Sequence, residues 1–249
     1  MGTLLTVLAV CAAVSILAKI LVRIAWAYYS NQFPSNKANT GSMAATEILG
    51  NSPACARNVV LQHGDSNCFD LKDDTIALTP EVYNGRSVLA ICVAAHEAGH
   101  ALQFSRRHIP LVNLKLFSNA TSFMVMVSAI AVILYFYIRT DIWMLIAVLC
   151  VAIDLATRLV LLPIEFYASR IALFELSKIG CYNETELRKM KRMLRACAFT
   201  YVAAVLDVLL LIFLLVLAML CSGKKNAPRK NNLAREKRPH DSRKRERAV

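Results

Sequence analysis

The sequence has no Cys-x-x-Cys pair and no internal repeat. Its eight cysteines do not make a disulfide framework. Cys11, Cys150, Cys197 and Cys221 lie in long apolar runs and Cys92 on an apolar helix, which leaves Cys55, Cys68 and Cys181 as an odd set. No basic residue precedes the first apolar run, as a removable signal peptide would require. Lys19 and Arg23 close that run instead, and Trp26, Tyr28 and Tyr29 follow as an interfacial belt, so it reads as an uncleaved anchor. The segment from Lys224 onward carries eleven Lys or Arg against Glu236, Asp241 and Glu246, without a single aromatic residue. With nothing to stack on bases, no specific nucleic-acid partner is expected. Residues 222–249 read as a basic, solvated and disordered tail that helps set topology, with contact to anionic lipid as the alternative.

What the chain has in excess is apolar sequence. Of its 249 residues, 57% are hydrophobic, against roughly 45–50% in soluble domains. The excess is concentrated in residues 3–22, 122–138, 142–162 and 196–221. Crossing a bilayer takes about 20 such residues; the second run is short, but Leu116 and Phe117 extend it. The expected fold is mainly α, a four-helix integral membrane protein with a small α+β zincin-like catalytic region between the first two spans. Its expected divisions are an anchor at 1–28, the catalytic region at 29–115, spans at 116–138 and 142–164, a polar region at 165–195, a fourth span at 196–221 and the tail.

Within 29–115, residues 43–49 predict a short helix and "ARNVVLQ" a strand. "GDSNCFDLKDD" reads as loop, "TIALT" as a second strand and "PEVYNGR" as a turn. Ser87 then caps a helix running to about Phe104. That helix holds "CVAAHEAGHALQF", residues 92–104. His96 and His100 stand four apart and share a helix face, so both imidazoles can grip one ion at about 2.0–2.1 Å. Glu97 is rotated about 100° from His96, where a general base for the attacking water belongs. Ala98 and Gly99 leave room on the same side. Gly99 costs about 1 kcal/mol of helix stability relative to Ala, which makes sense where something must approach closely. A chain of this length meets His-Glu-x-x-His by chance roughly once per hundred, so context has to carry the assignment. The turns before the motif are wholly apolar, and unpaired polar groups at such an edge are costly unless a metal resolves them.

Catalytic zinc usually keeps three protein ligands. Glu165, in "LLPIEFYASRIALFEL", is the strongest candidate for the third, with Pro163 expected to open a new helix there. Two spans lie between His100 and Glu165, so both emerge on one membrane face. His63, Asp65, Asp70, Asp73, Asp74 and His108 are further donors on that face. Asp154 and Arg158 in the third span and Asp207 in the fourth are charges inside the membrane, either paired or functional. Tyr201 opens the fourth run, as an interfacial anchor or an oxyanion donor.

Three segments, "LTPEVYNGRSVLAICVAAHEAGHALQ", "LLPIEFYASRIAL" and "RACAFTYVAAVL", resemble the signature segments of the bacterial membrane neutral zinc metallopeptidase family, in the same order and spacing up to about residue 220. The resemblance implies an integral-membrane zinc protease with one zinc per chain, His96, His100 and Glu165 as metal ligands, and Glu97 as catalytic acid and base. Related enzymes commonly carry a carboxylate one helical turn beyond the third ligand. Here that position is Ser169, whose hydroxyl is available to hold a ligand histidine. The family's loop before the helix reads like Asp-His-Tyr-Asp-Pro, whereas this chain has "NCFDL", in which only Asp70 remains as a candidate substrate contact. The expected function is hydrolysis of peptide bonds in membrane or membrane-proximal proteins from a multi-pass protein of the bacterial plasma membrane, with the substrate backbone adding a strand along "TIALT". The charge around the first span places the active site on the cytoplasmic face. Two other functions fit less of the sequence: a zinc-stabilised adaptor with weak or lost catalysis, and a channel built on Asp154, Arg158 and Asp207.

Overall fold

The computed structural model describes residues 2–35, 39–51, 60–105 and 114–223; His108 and the basic tail from 224 lie outside them. The element order is α1 (Gly2–Ser30), α2 (Gly41–Gly50), β1 (Val60–His63), β2 (Cys68–Asp70), β3 (Thr75–Leu78), α3 (Pro80–Tyr83), α4 (Val88–Ser105), α5 (Leu114–Ile138), α6 (Asp141–Ile179) and α7 (Glu184–Gly223). The protein is mainly helical with one small three-stranded sheet.

Four of the helices, α1, α5, α6 and α7, are long and apolar enough to cross a membrane. Their outward side chains are themselves apolar: Leu17 is 56% exposed and Ile133 67%. A surface of that kind is stable against hydrocarbon and not against water. The α5–α6 link is only Arg139 and Thr140, with Arg139 in the left-handed region at φ 62°, a conformation that reverses the chain within two residues. Helix α6 packs along both α5 and α7, and Ala131, Tyr135, Met144, Ala147 and Val208 are buried in one cluster.

The expected strand pattern needs two corrections. Residues 68–70, read from sequence as loop, form β2, which pairs antiparallel with β3, Phe69 opposite Ile76. A strand of three residues that includes Asp is too short for alternation to register and too polar for propensity, so pairing with a neighbour decides it. The segment "TIALT" is no edge: β3 lies between β1, which pairs with it in parallel, and β2. Both its ladders are occupied, so no further strand can add to it, and the edge strand that contacts α4 (Val88–Ser105) is β2.

Pro163 opens no helix; it sits inside α6, which runs unbroken for 39 residues. An internal proline removes one backbone hydrogen bond, a loss that surrounding helices make tolerable in membrane helices. The candidate third ligand is therefore on the extension of a spanning helix. The turn from α6 to α7 is made by Gly180 at φ 75°. Asn183 and Glu186 then cap α7 reciprocally: the Glu186 amide donates to Asn183 Oδ1 at 2.9 Å, and the Asn183 amide to Glu186 Oε2 at 2.8 Å.

At the centre of the polar half is α4. The Ala90 amide donates to Ser87 Oγ at 3.1 Å, which fixes where the helix starts. Apolar nearly all round, as a helix must be when surrounded, α4 packs against α2, α3, α6, α7 and the sheet. Ile91 and Leu102 are fully buried, worth about 1.5–3 kcal/mol each.

Candidate metal centre

The close approach of α4 and α6 builds the site. Ala94, Ala95 and Ala98 on α4, with Ala168 and Ala172 on α6, are fully buried. At the point of contact Gly99 of α4 lies against the Ala168 backbone of α6, and three residues earlier on each helix stands a polar group: His96 on α4, Glu165 on α6. His96 Nε2 lies 3.1 Å from Glu165 Oε2, and His100 Nε2 lies 3.1 Å from His96 Nε2 and 3.5 Å from the same carboxylate oxygen. Among the described residues, this trio is the group of potential ligands that could hold a metal ion.

Neighbouring groups aim the imidazoles. Gln103, 1% exposed, donates from Nε2 to the Ile164 carbonyl at 2.8 Å, which turns its Oε1 toward His100 Nδ1 at 3.0 Å. An amide oxygen only accepts, so Nδ1 of His100 carries the proton and its Nε2 lone pair faces the cluster. Ser169 Oγ lies 3.2 Å from His96 Nδ1 and orients that ring in the same way. Burial opposes protonation of His100, yet the adjacent Glu165 carboxylate outweighs it and raises its pKa above the usual histidine range. A cation at the same point takes the place of that proton. Two imidazole nitrogens and a carboxylate within 4.8 Å of one another are the donor set zinc favours, so the residues fit a zinc ion.

A cleft of about 680 Å³ opens onto the trio. Glu97 lines it beside the histidines, as does Tyr201, whose hydroxyl interacts with Glu165. One wall is Ser66, Asn67, Cys68 and Phe69, at and before β2; the other is Arg158, Leu161 and Ala204 from the spanning helices. Asp70 is not part of the lining: its Oδ1 accepts the Lys72 amide at 3.0 Å in the turn after β2. His63 lies against the Tyr83 ring, centroids 3.9 Å apart, and joins no ligand group. Two residues of the site escape the sequence reading. Gln103 carries a signal in hindsight, a lone polar residue seven positions after His96 and so on the same face. Arg158, left open from sequence as paired or functional, both pairs with Asp154 and borders the cleft.

One membrane pair is local and the other joins two helices. Arg158 Nε donates to Asp154 Oδ2 at 3.0 Å. Asp207 accepts from Ser15 Oγ and pairs with Lys19 at 2.6 Å, tying α7 to α1.

A buried His-His-Glu group that could hold a metal ion, with an adjoining glutamate and helices suited to a bilayer, marks a membrane protein with a candidate zinc centre. The family described as "Putative neutral zinc metallopeptidase" matches residues 4–220, and the chain belongs to it. The protein named "Putative membrane protease YugP" from Bacillus subtilis (strain 168) is 30% identical over 141 residues, which is 55% of this chain and 61% of that relative. The similarity therefore spans less than two thirds of the relative's length. No solved structure matches the chain.

Proposed function

We propose that this protein is a membrane zinc metalloendopeptidase that binds one zinc ion per chain through His96, His100 and Glu165 and hydrolyses peptide bonds in membrane or membrane-proximal proteins. The observation that carries this reading is the convergence of the three donor atoms in a cleft that Glu97 also lines. When bound, zinc supplies a lowered water pKa and a polarised scissile carbonyl.

The chain's own residues do the rest. Glu97 takes a proton from the attacking water and returns it to the departing amine nitrogen. Gln103 and Ser169 keep the imidazoles from turning away. Tyr201 holds the Glu165 carboxylate and is a neutral donor within the cleft for charge that develops on the carbonyl oxygen. The free edge of β2 runs along the cleft wall, so an extended substrate lies there and exchanges main-chain hydrogen bonds with residues 68–70. The intramembrane wall admits apolar segments, which supports substrates at the bilayer. With Lys19 and Arg23 at the site end of α1, the catalytic face is the cytoplasmic one.

The test is cleavage of casein or a peptide by detergent-purified wild type and Glu97→Gln, with zinc measured in both. Full zinc in each and a loss of about 100-fold or more in the variant are expected. Equal cleavage ends the proposal; zinc in both with cleavage in neither points to the adaptor.

A further inference from the structure

Behind the metal centre, a second groove of about 670 Å³ runs between the far half of α6 and the first turns of α7. The two sites share a wall, since Ser169, which contacts His96, also lines this groove. Four cations frame it: Arg170 from α6, and Arg188, Lys191 and Arg195 from α7. The three on α7 are spaced three and four apart and so share a face. No carboxylate is among the described lining residues. Arg188 engages Glu184 at 3.5 Å; among the described residues, Arg170, Lys191 and Arg195 have no ion-pair partner.

Place and polarity together select a ligand. The apolar run of α7 begins at residue 196, directly after Arg195. Phe166 and Ala198, also in the lining, lie on the membrane side of the cations. The cations thus stand at the level of the headgroups, with Phe166 and Ala198 toward the acyl chains and Leu173, Phe174 and Leu187 as apolar lining on the other side of them. A soluble anion would use the cations and leave the apolar part wet; an apolar peptide would leave the cations unmatched. A phospholipid with a net negative charge satisfies both.

We propose that this groove is a binding site for an anionic phospholipid, its phosphate held by Arg170, Lys191 and Arg195 and its acyl chains leaving past Phe166 and Ala198 into the bilayer. This site is distinct from the basic tail, and it sets a lipid headgroup one side chain away from a ligand histidine.

The full chain, in a zwitterionic detergent, is given dioleoyl phosphatidylglycerol, dioleoyl phosphatidylcholine or inorganic phosphate. Thermal unfolding and lipid adducts in native mass spectrometry are read out, with zinc content as the check on folding. Phosphatidylglycerol is expected to raise Tm by a few degrees and leave one retained adduct, while the other two additives do neither. Arg170→Gln/Lys191→Gln/Arg195→Gln loses both effects at unchanged zinc content, and the single change Lys191→Glu loses most of them. Lys224→Gln/Lys225→Gln/Arg229→Gln, which removes equal charge from the tail, keeps both. An adduct that survives the groove substitutions, or disappears with the tail substitutions, overturns the proposal. So does equal stabilisation by phosphatidylcholine or by phosphate alone.

Discussion

A β-carbon placed on Gly99 would stand 2.6 Å from the carbonyl oxygen of Ala168, so α4 and α6 meet at this point backbone to side-chain position with no space for a methyl group. Three residues back along each helix are His96 and Glu165. The glycine fixes how near a carboxylate on one helix comes to imidazoles on the other. Gly99→Ala improves helix propensity by about 1 kcal/mol but forces a backbone apart, an overpacking that costs about 1–3 kcal/mol. The expected result is a lower Tm and substoichiometric zinc, read by thermal unfolding and metal analysis. A variant of higher Tm with full zinc would show that the contact does not set the ligand geometry.

Gln103 and Ser169 each hold the outward nitrogen of one histidine. Groups in that position typically change metal affinity by about 10–100-fold. Gln103→Leu is expected at the upper end, because it strands a buried imidazole N–H and releases the Ile164 carbonyl, while Ser169→Ala loses one partly buried contact. Competition with a chelator of known zinc affinity measures both. Glu97→Gln in the same assay should bind zinc like wild type, which separates ligand support from catalysis.

Much of this arrangement is legible in the sequence because it follows from local rules. Ser87 starts a helix through its side chain, the spacing of His96 and His100 is a property of any α-helix, and the two-residue link at Arg139 returns the chain to the face it left. Pro163 and β2 fail for a common reason: both are decided by partners distant in sequence. A proline is a break in isolation and tolerable inside a packed membrane helix; three residues around Phe69 are a strand only because Ile76 lies opposite. Gln103 falls between these cases, since its position on the helix face is local but its role depends on Ile164 of another helix.

The outer edge of β2, which pairs with no strand among the described residues, leads to a prediction about substrates. If residues 68–70 pair with an extended peptide, methylating substrate amides that face this edge removes one main-chain hydrogen bond each. Such a bond nets about 0.5–1.5 kcal/mol, so kcat/KM should fall by up to about tenfold per methyl group, while methylation of outward-facing amides changes it little. A series of singly N-methylated peptides reads the pattern directly. Uniform rates across the series would remove β2 from substrate binding.

Asp154 and Arg158 supply the remaining prediction. Asp154 is 1% exposed on a spanning helix, held through Oδ2 by Arg158 Nε at 3.0 Å, and Arg158 borders the cleft at the candidate metal centre two turns before Glu165. Removing one member of a buried pair leaves an uncompensated charge and costs about 3–5 kcal/mol; replacing both with apolar groups is often neutral. Asp154→Ala alone should therefore lower Tm strongly, and Asp154→Ala/Arg158→Met should recover most of the loss. The interaction energy from the two single variants and the double one isolates the pair. Recovery of both Tm and peptide cleavage in the double variant would make the pair a structural lock on α6. Recovery of Tm without cleavage would give the Arg158 guanidinium a place in substrate binding. A single variant no less stable than the double would mean that the pair is not coupled, and the charges would then call for the ion-flux measurement that the channel reading requires.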